Sequence, residues 1–126
     1  MTTVLDASAL LALLHDEPGA DRVAEVLDGA LITTVNWAEV VQKAVARGVP
    51  VEGMRGELSG AGLSFEPFSA AQAEIAGRLW LETRDLGLSL GDRACLALAS
   101  DRALPVLTAD REWSRLSIPV EIRLIR

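Results

Sequence analysis

A single cysteine, Cys95, leaves no partner for an internal disulfide and too few thiolates for a zinc cluster. A single histidine, His15, rules out catalysis by a histidine pair and zinc sites that need two or three imidazoles. Neither GxxxxGKS/T nor GxGxxG occurs, so the usual glycine-rich phosphate cradles are absent. The longest stretch without a charged side chain is ten residues, Gly29 to Ala38, which is too short to span a bilayer. The opening residues contain no basic region leading into an apolar run, and the expected location is the cytoplasm, away from membranes. Bases are outnumbered by acids, 12 to 18, for a net charge of −6. That balance opposes nucleic-acid binding unless several acids share a cation, whose charge would invert the local field. What is left to carry chemistry is carboxylates and hydroxyls.

Half of the 126 residues are apolar, enough for the core of one domain over residues 1–126. Short apolar runs predict strands at Thr3–Leu5, Leu31–Thr33, Leu63–Glu66, Val106–Leu107 and Glu121–Leu124. Trp37, Val40, Val41, Ala44 and Val45 follow the i, i+3, i+4, i+7, i+8 spacing of an amphipathic helix, stopped by Gly48-Val49-Pro50. Ala70 to Leu86 reads as one helix with a wide apolar stripe containing Ala73, Ala76, Leu79 and Trp80. Gly91 to Ala99 is apolar after its first turn and predicts a buried helix. Between Val51 and Gly60 the glycines weaken any helical pattern. Strands alternating with helices imply a parallel sheet covered on both faces, in which sites form at the carboxyl ends of the strands.

Four acids stand where a strand ends or a helix begins: Asp6 after Val4-Leu5, Glu39 in Asn36-Trp37-Ala38-Glu39, Asp92 in Ser89-Leu90-Gly91-Asp92, and Asp110 after Val106-Leu107-Thr108-Ala109. Each has an ordinary structural explanation. Asp6 and Asp110 suit N-caps, and Asn36…Glu39 and Ser89…Asp92 have the spacing of capping boxes. Lys43, four residues after Glu39, suits a surface ion pair. Collectively, though, the four can lie on one rim of a doubly wound sheet. Crowded carboxylates of that kind call for a cation, and hard oxygen ligands favour magnesium or manganese.

These segments resemble the PIN-domain ribonucleases, and within them the VapC-type toxins of bacterial toxin–antitoxin pairs. The resemblance is carried by Val4-Leu5-Asp6-Ala7-Ser8-Ala9-Leu10, by Ile32-Thr33-Thr34-Val35-Asn36-Trp37-Ala38-Glu39-Val40, by Ser89-Leu90-Gly91-Asp92-Arg93-Ala94 and by Leu107-Thr108-Ala109-Asp110, in family order across nearly the whole chain. It implies a PIN-like α/β/α sandwich with a parallel central sheet. It also implies hydrolysis of RNA phosphodiesters with Mg2+ or Mn2+ held by Asp6, Glu39, Asp92 and Asp110, with Ser8 and Thr108 orienting water or a ligand carboxylate. Transfer RNA enters as a candidate substrate, a VapB-like antitoxin as the protein partner, and a homodimer as the assembly. RNA contacts would fall to Arg93, Arg111 and Lys43.

Other conspicuous side chains have simpler roles. His15 sits in a loop and is expected to face solvent, Cys95 to pack in a buried helix, and Trp113 to anchor a short helix after Asp110. Trp80 is expected in the core or at a subunit interface. Two other functions compete with the nuclease. One is a catalytically silent PIN-like interaction module. The other is a phosphoryl-transfer enzyme with a strand-end aspartate nucleophile, which would place a second aspartate where Ser8 stands.

Overall fold

In the computed structural model, which describes residues 2–126, all five strands form at the expected places. They are β1 Val4–Leu5, β2 Leu31–Thr33, β3 Ser64–Glu66, β4 Val106–Thr108 and β5 Ile122–Leu124. The helices are α1 Ala7–Leu14, α2 Ala20–Val26, α3 Thr34–Ala46, α4 Met54–Gly60, α5 Ala70–Arg78, α6 Trp80–Thr83 and α7 Leu90–Arg102, with 3-10 turns at Arg84–Leu86 and Arg111–Arg115. The strands pair in parallel in the order β3-β2-β1-β4-β5. From β1 the chain therefore steps outward to one edge and then returns to fill the other side. That makes the β1/β4 boundary the point where a parallel sheet opens a crevice at its carboxyl end.

Consecutive strand residues point to opposite faces, and this period of two builds two cores. Leu5, Ile32 and Leu107 pack with Leu10, Val23, Val40 and Leu58 of α1 to α4. Their neighbours Val4, Leu31 and Val106 pack with Cys95, Leu96 and Leu98 of α7 and with Trp113. The result is the expected α/β/α sandwich. Helix α7 is apolar on nearly every side because it lies in the interior, with Ala94 to Ala99 all buried.

Two expectations are corrected here. The segment Ala70–Leu86 is not one helix. After Arg78 the backbone tightens, with the Glu82 N–H bonding to the Leu79 carbonyl three residues back. The Thr83 hydroxyl donates to that same carbonyl at 2.8 Å, a side-chain bond that competes with regular helix hydrogen bonding, and Gly87 ends the segment with φ +67°. Trp80 and Leu81 consequently turn outward, 48% and 68% exposed, and the Arg84 guanidinium lies 5.2 Å from the Trp80 ring centre. The second correction concerns Asn36 and Glu39, which do not form a capping box. Helix α3 starts directly off β2, with the Thr33 hydroxyl capping the Val35 N–H, so both residues lie inside the helix.

Candidate active site

Asp6 occupies the crevice between β1 and β4 and is 4% exposed. Its Oδ1 accepts from the Ala9 N–H at 2.8 Å, the N-cap bond expected of it. The Ser8 hydroxyl lies 2.8 and 2.9 Å from its two oxygens, and the Thr108 hydroxyl donates to Oδ2 at 2.6 Å. A hydroxyl has one hydrogen to give. Ser8 and Thr108 spend theirs on Asp6 while their oxygens accept from the Ala109 and Asp110 N–H groups, both at 3.0 Å. These two hydroxyls thus join the ends of β1 and β4 and fix the Asp6 carboxylate. Burial nevertheless raises the Asp6 pKa to about 6, against the hydrogen bonds from Thr108, Ala9 and Ser8, and the Asp92 charge adds to the rise.

Asp92 opens α7 in a complete capping box. Its Oδ2 accepts from the Ser89 N–H at 2.9 Å while its own N–H donates to the Ser89 hydroxyl at 3.1 Å. Glu39, half-buried on α3, meets the first turn of α7: the Asn36 amide donates to Glu39 Oε1 at 3.2 Å and to the Gly91 carbonyl at 3.0 Å. Burial raises the Glu39 pKa; the Asn36 hydrogen bond opposes this, the Asp92 charge adds to it, and Lys43 lowers it. Burial also raises the Cys95 thiol pKa, and the charges of Asp6, Asp92 and Glu39 all push it further. The fold thus brings Asp92, at the start of α7, within electrostatic reach of both Asp6 and Glu39, with Ser8 and Thr108 beside Asp6.

Asp110 stands apart. Its Oδ1 caps the following 3-10 turn through the Glu112 N–H at 3.0 Å, and it is not among the charges acting on Asp6 or Glu39. Arg93 turns away from the crevice: its Nη1 donates to the Ala76 carbonyl of α5 at 2.9 Å, and its Nε is buried without a partner. Arg111 and Lys43 are exposed. His15 contacts Arg47 and Glu17, and Cys95 and Trp113 are buried as expected. Asn36, read from the sequence only as a capping residue, is the site residue that sequence reasoning missed. A signal lay in its position three residues before Glu39 on one helix face.

Among the described residues, no three Asp, Glu, His or Cys side chains converge as a ready-made ligand cluster. The donor set nonetheless suits a hard divalent ion. A desolvated aspartate beside a second acid is relieved either by a proton or by a cation, and all the donors are oxygens.

A PIN domain model matches residues 3–119, and the chain belongs to the PIN domain family. Among curated proteins no sequence relative matches. Solved structures show the same fold at low identity. A toxin–antitoxin complex from Klebsiella pneumoniae matches with a TM-score of 0.71 and 22% identity, covering 95% of this chain and 99% of the other. VapBC-1 from nontypeable Haemophilus influenzae gives 0.73 and 16%, covering 99% and 98%. VapC20 from Mycobacterium tuberculosis, a toxin that cleaves the sarcin-ricin loop, gives 0.67 and 13%, covering 96% and 99%.

Proposed function

We propose that this PIN domain is a divalent-metal-dependent endoribonuclease of the VapC type, the toxin of a toxin–antitoxin pair. The observation that carries the reading is the buried Asp6 carboxylate at the β1/β4 crevice, raised to about 6 and bracketed by the Asp92 charge and the Ser8 and Thr108 hydroxyls. Asp6, Asp92 and Glu39 would hold Mg2+ or Mn2+, and Asp110, reached through Thr108, is the fourth candidate acid. When bound, such an ion supplies charge stabilisation to a phosphodiester and an ionised water at neutral pH. The protein's own contribution is placement. Ser8 and Thr108 fix the Asp6 oxygens, the Ser89 cap holds Asp92, and Asn36 holds Glu39. Exposed Arg111 and Lys43 would neutralise RNA phosphates. Attack by water on phosphorus with the 3′-oxygen as leaving group would give a 5′-phosphate and a 3′-hydroxyl. The one histidine, engaged with Arg47 and Glu17, supplies no acid–base pair for attack by the ribose 2′-hydroxyl.

The toxin–antitoxin complexes among the structural neighbours support an antitoxin partner. The exposed Trp80 and Leu81 offer an apolar surface for a homodimer. Transfer RNA is one structured substrate to test, and action on cellular RNA with a co-expressed antitoxin would place the protein in the cytoplasm. A catalytically silent PIN-like module is the competing reading. One experiment separates the two. Total RNA is incubated with the purified chain in Mg2+ or chelator, and the new ends are mapped. Discrete cuts in Mg2+ that vanish with chelator and with Asp6→Asn are expected; no cuts, or equal cutting in chelator, would refute the nuclease.

A further inference from the structure

Asn36 is 1% exposed, and both hydrogens of its amide are committed, one to Glu39 Oε1 and one to the Gly91 carbonyl. Since both neighbours are acceptors, only the amide nitrogen can face them. Its Oδ1 is left buried and without a partner, an unfavourable arrangement for a residue that merely fills space. Across the contact, a Cβ on Gly91 would lie 1.7 Å from Glu39 Oε1 and 2.8 Å from the carboxyl carbon. Gly91 lies in the first turn of α7 with no left-handed φ to demand glycine, and glycine weakens a helix relative to alanine. The space that its missing side chain leaves is occupied by the Glu39 carboxylate.

We propose that Asn36 and Gly91 are positioning residues. Together they seat the Glu39 carboxylate in a notch of α7, one residue from Asp92, and so set the third acid for a divalent ion bound with Asp6 and Asp92. The inference rests on the metal-dependent reading above. It assigns to a contact between residues 55 positions apart a role that neither residue's type announces.

Gly91→Ala and Asn36→Asp test it from opposite sides. In Gly91→Ala the atom displaced is the far end of a flexible side chain, and the better helix propensity of alanine offsets the lost Asn36–Glu39 hydrogen bond, so the metal-free protein should melt within a few degrees of wild type. Its dissociation constant for Mn2+, measured by calorimetry without RNA, should rise 10- to 100-fold, the usual consequence of losing support to a ligand. RNA cleavage should lose kcat with KM little changed. Asn36→Asp keeps the shape but removes both donors and faces Glu39 with a like charge. Its metal-free melting temperature should fall, and adding Glu39→Gln should recover at least half of the loss, because the new amide can donate across the same gap. Wild-type Mn2+ affinity in Gly91→Ala, or an Asn36→Asp loss that Glu39→Gln leaves unchanged, would overturn the proposal. Failure of the parent reading looks different: the wild type itself would neither bind Mn2+ nor cut RNA, while the metal-free coupling of Asn36 to Glu39 would still decide whether the pair is seated as described.

Discussion

Replacing Asp6 by Asn should stabilise the metal-free protein at neutral pH, the opposite of what removing a buried hydrogen-bonded aspartate usually does. The folded protein holds the Asp6 proton up to about pH 6, whereas the ordinary value is 3.8. Between those values the native state binds more protons than the unfolded chain, so its stability falls as pH rises through the window. Above about pH 6 the cost is fully present, and the interval corresponds to about 3 kcal/mol. Asparagine removes that cost while keeping the network. Its oxygen still accepts from the Ala9 N–H; its nitrogen takes the place of Oδ2 and donates to the Thr108 hydroxyl, which turns its hydrogen toward Ser8 at 3.3 Å. The value of about 6 already contains the charge-assisted bonds, so only the exchange of a protonated carboxyl for an amide in the network is subtracted, about 1–2 kcal/mol. The net gain of about 1–2 kcal/mol means a melting temperature higher by about 3–8 °C for a domain of this size. Thermal melts in chelator from pH 4 to 8 should show the gap opening as pH rises toward 6 and closing toward pH 4. In Mg2+ at 100 times its dissociation constant the wild type should gain about 2.7 kcal/mol and the variant much less, reversing the order. A variant that melts below wild type in chelator at pH 7.5, or a gap independent of pH, would refute the reasoning.

The capping box makes Ser89→Ala lose about 1 kcal/mol, read as a melting point lower by about 3 °C, and the loss should persist in chelator. Arg93→Ala should lower stability by about 1–2 kcal/mol, since it strips the carbonyl of buried Ala76 of a partner, yet leave the salt dependence of RNA binding unchanged; Arg111→Ala should do the reverse, reducing the slope of log affinity against log salt by about 1 with the melting point intact. Trp80→Asp combined with Leu81→Asp should convert a dimer to a monomer in sedimentation at tens of micromolar, whereas a wild type that is already monomeric there would remove α6 as an interface.

Much of this protein is local, and what is local could be read from the sequence. The short apolar runs at Val4-Leu5, Leu31-Ile32 and Val106-Leu107 located the strands, because a parallel strand covered on both faces needs apolar residues in succession. The Ser89–Asp92 box and the Asp6 cap were legible because a helix start requires a side-chain acceptor at a set spacing from its free N–H groups. The run Ala94–Ala99 declared a buried helix by lacking a polar face. Tertiary packing decided the rest. The break at Leu79 lay hidden inside an unbroken apolar stripe and depended on where the Thr83 hydroxyl found a carbonyl. Arg93 looked like a rim cation next to Asp92 until α5 came alongside and offered it the Ala76 carbonyl. Asn36 had the spacing of a cap, but β2 runs straight into α3, so the cap falls to Thr33 and Asn36 is carried inward against Gly91. Whether an acid is a cap, a surface charge or a ligand depends on how much water its neighbours leave it. That quantity is set by side chains as far as 102 positions away, as Thr108 is from Asp6, and no short window of sequence contains it.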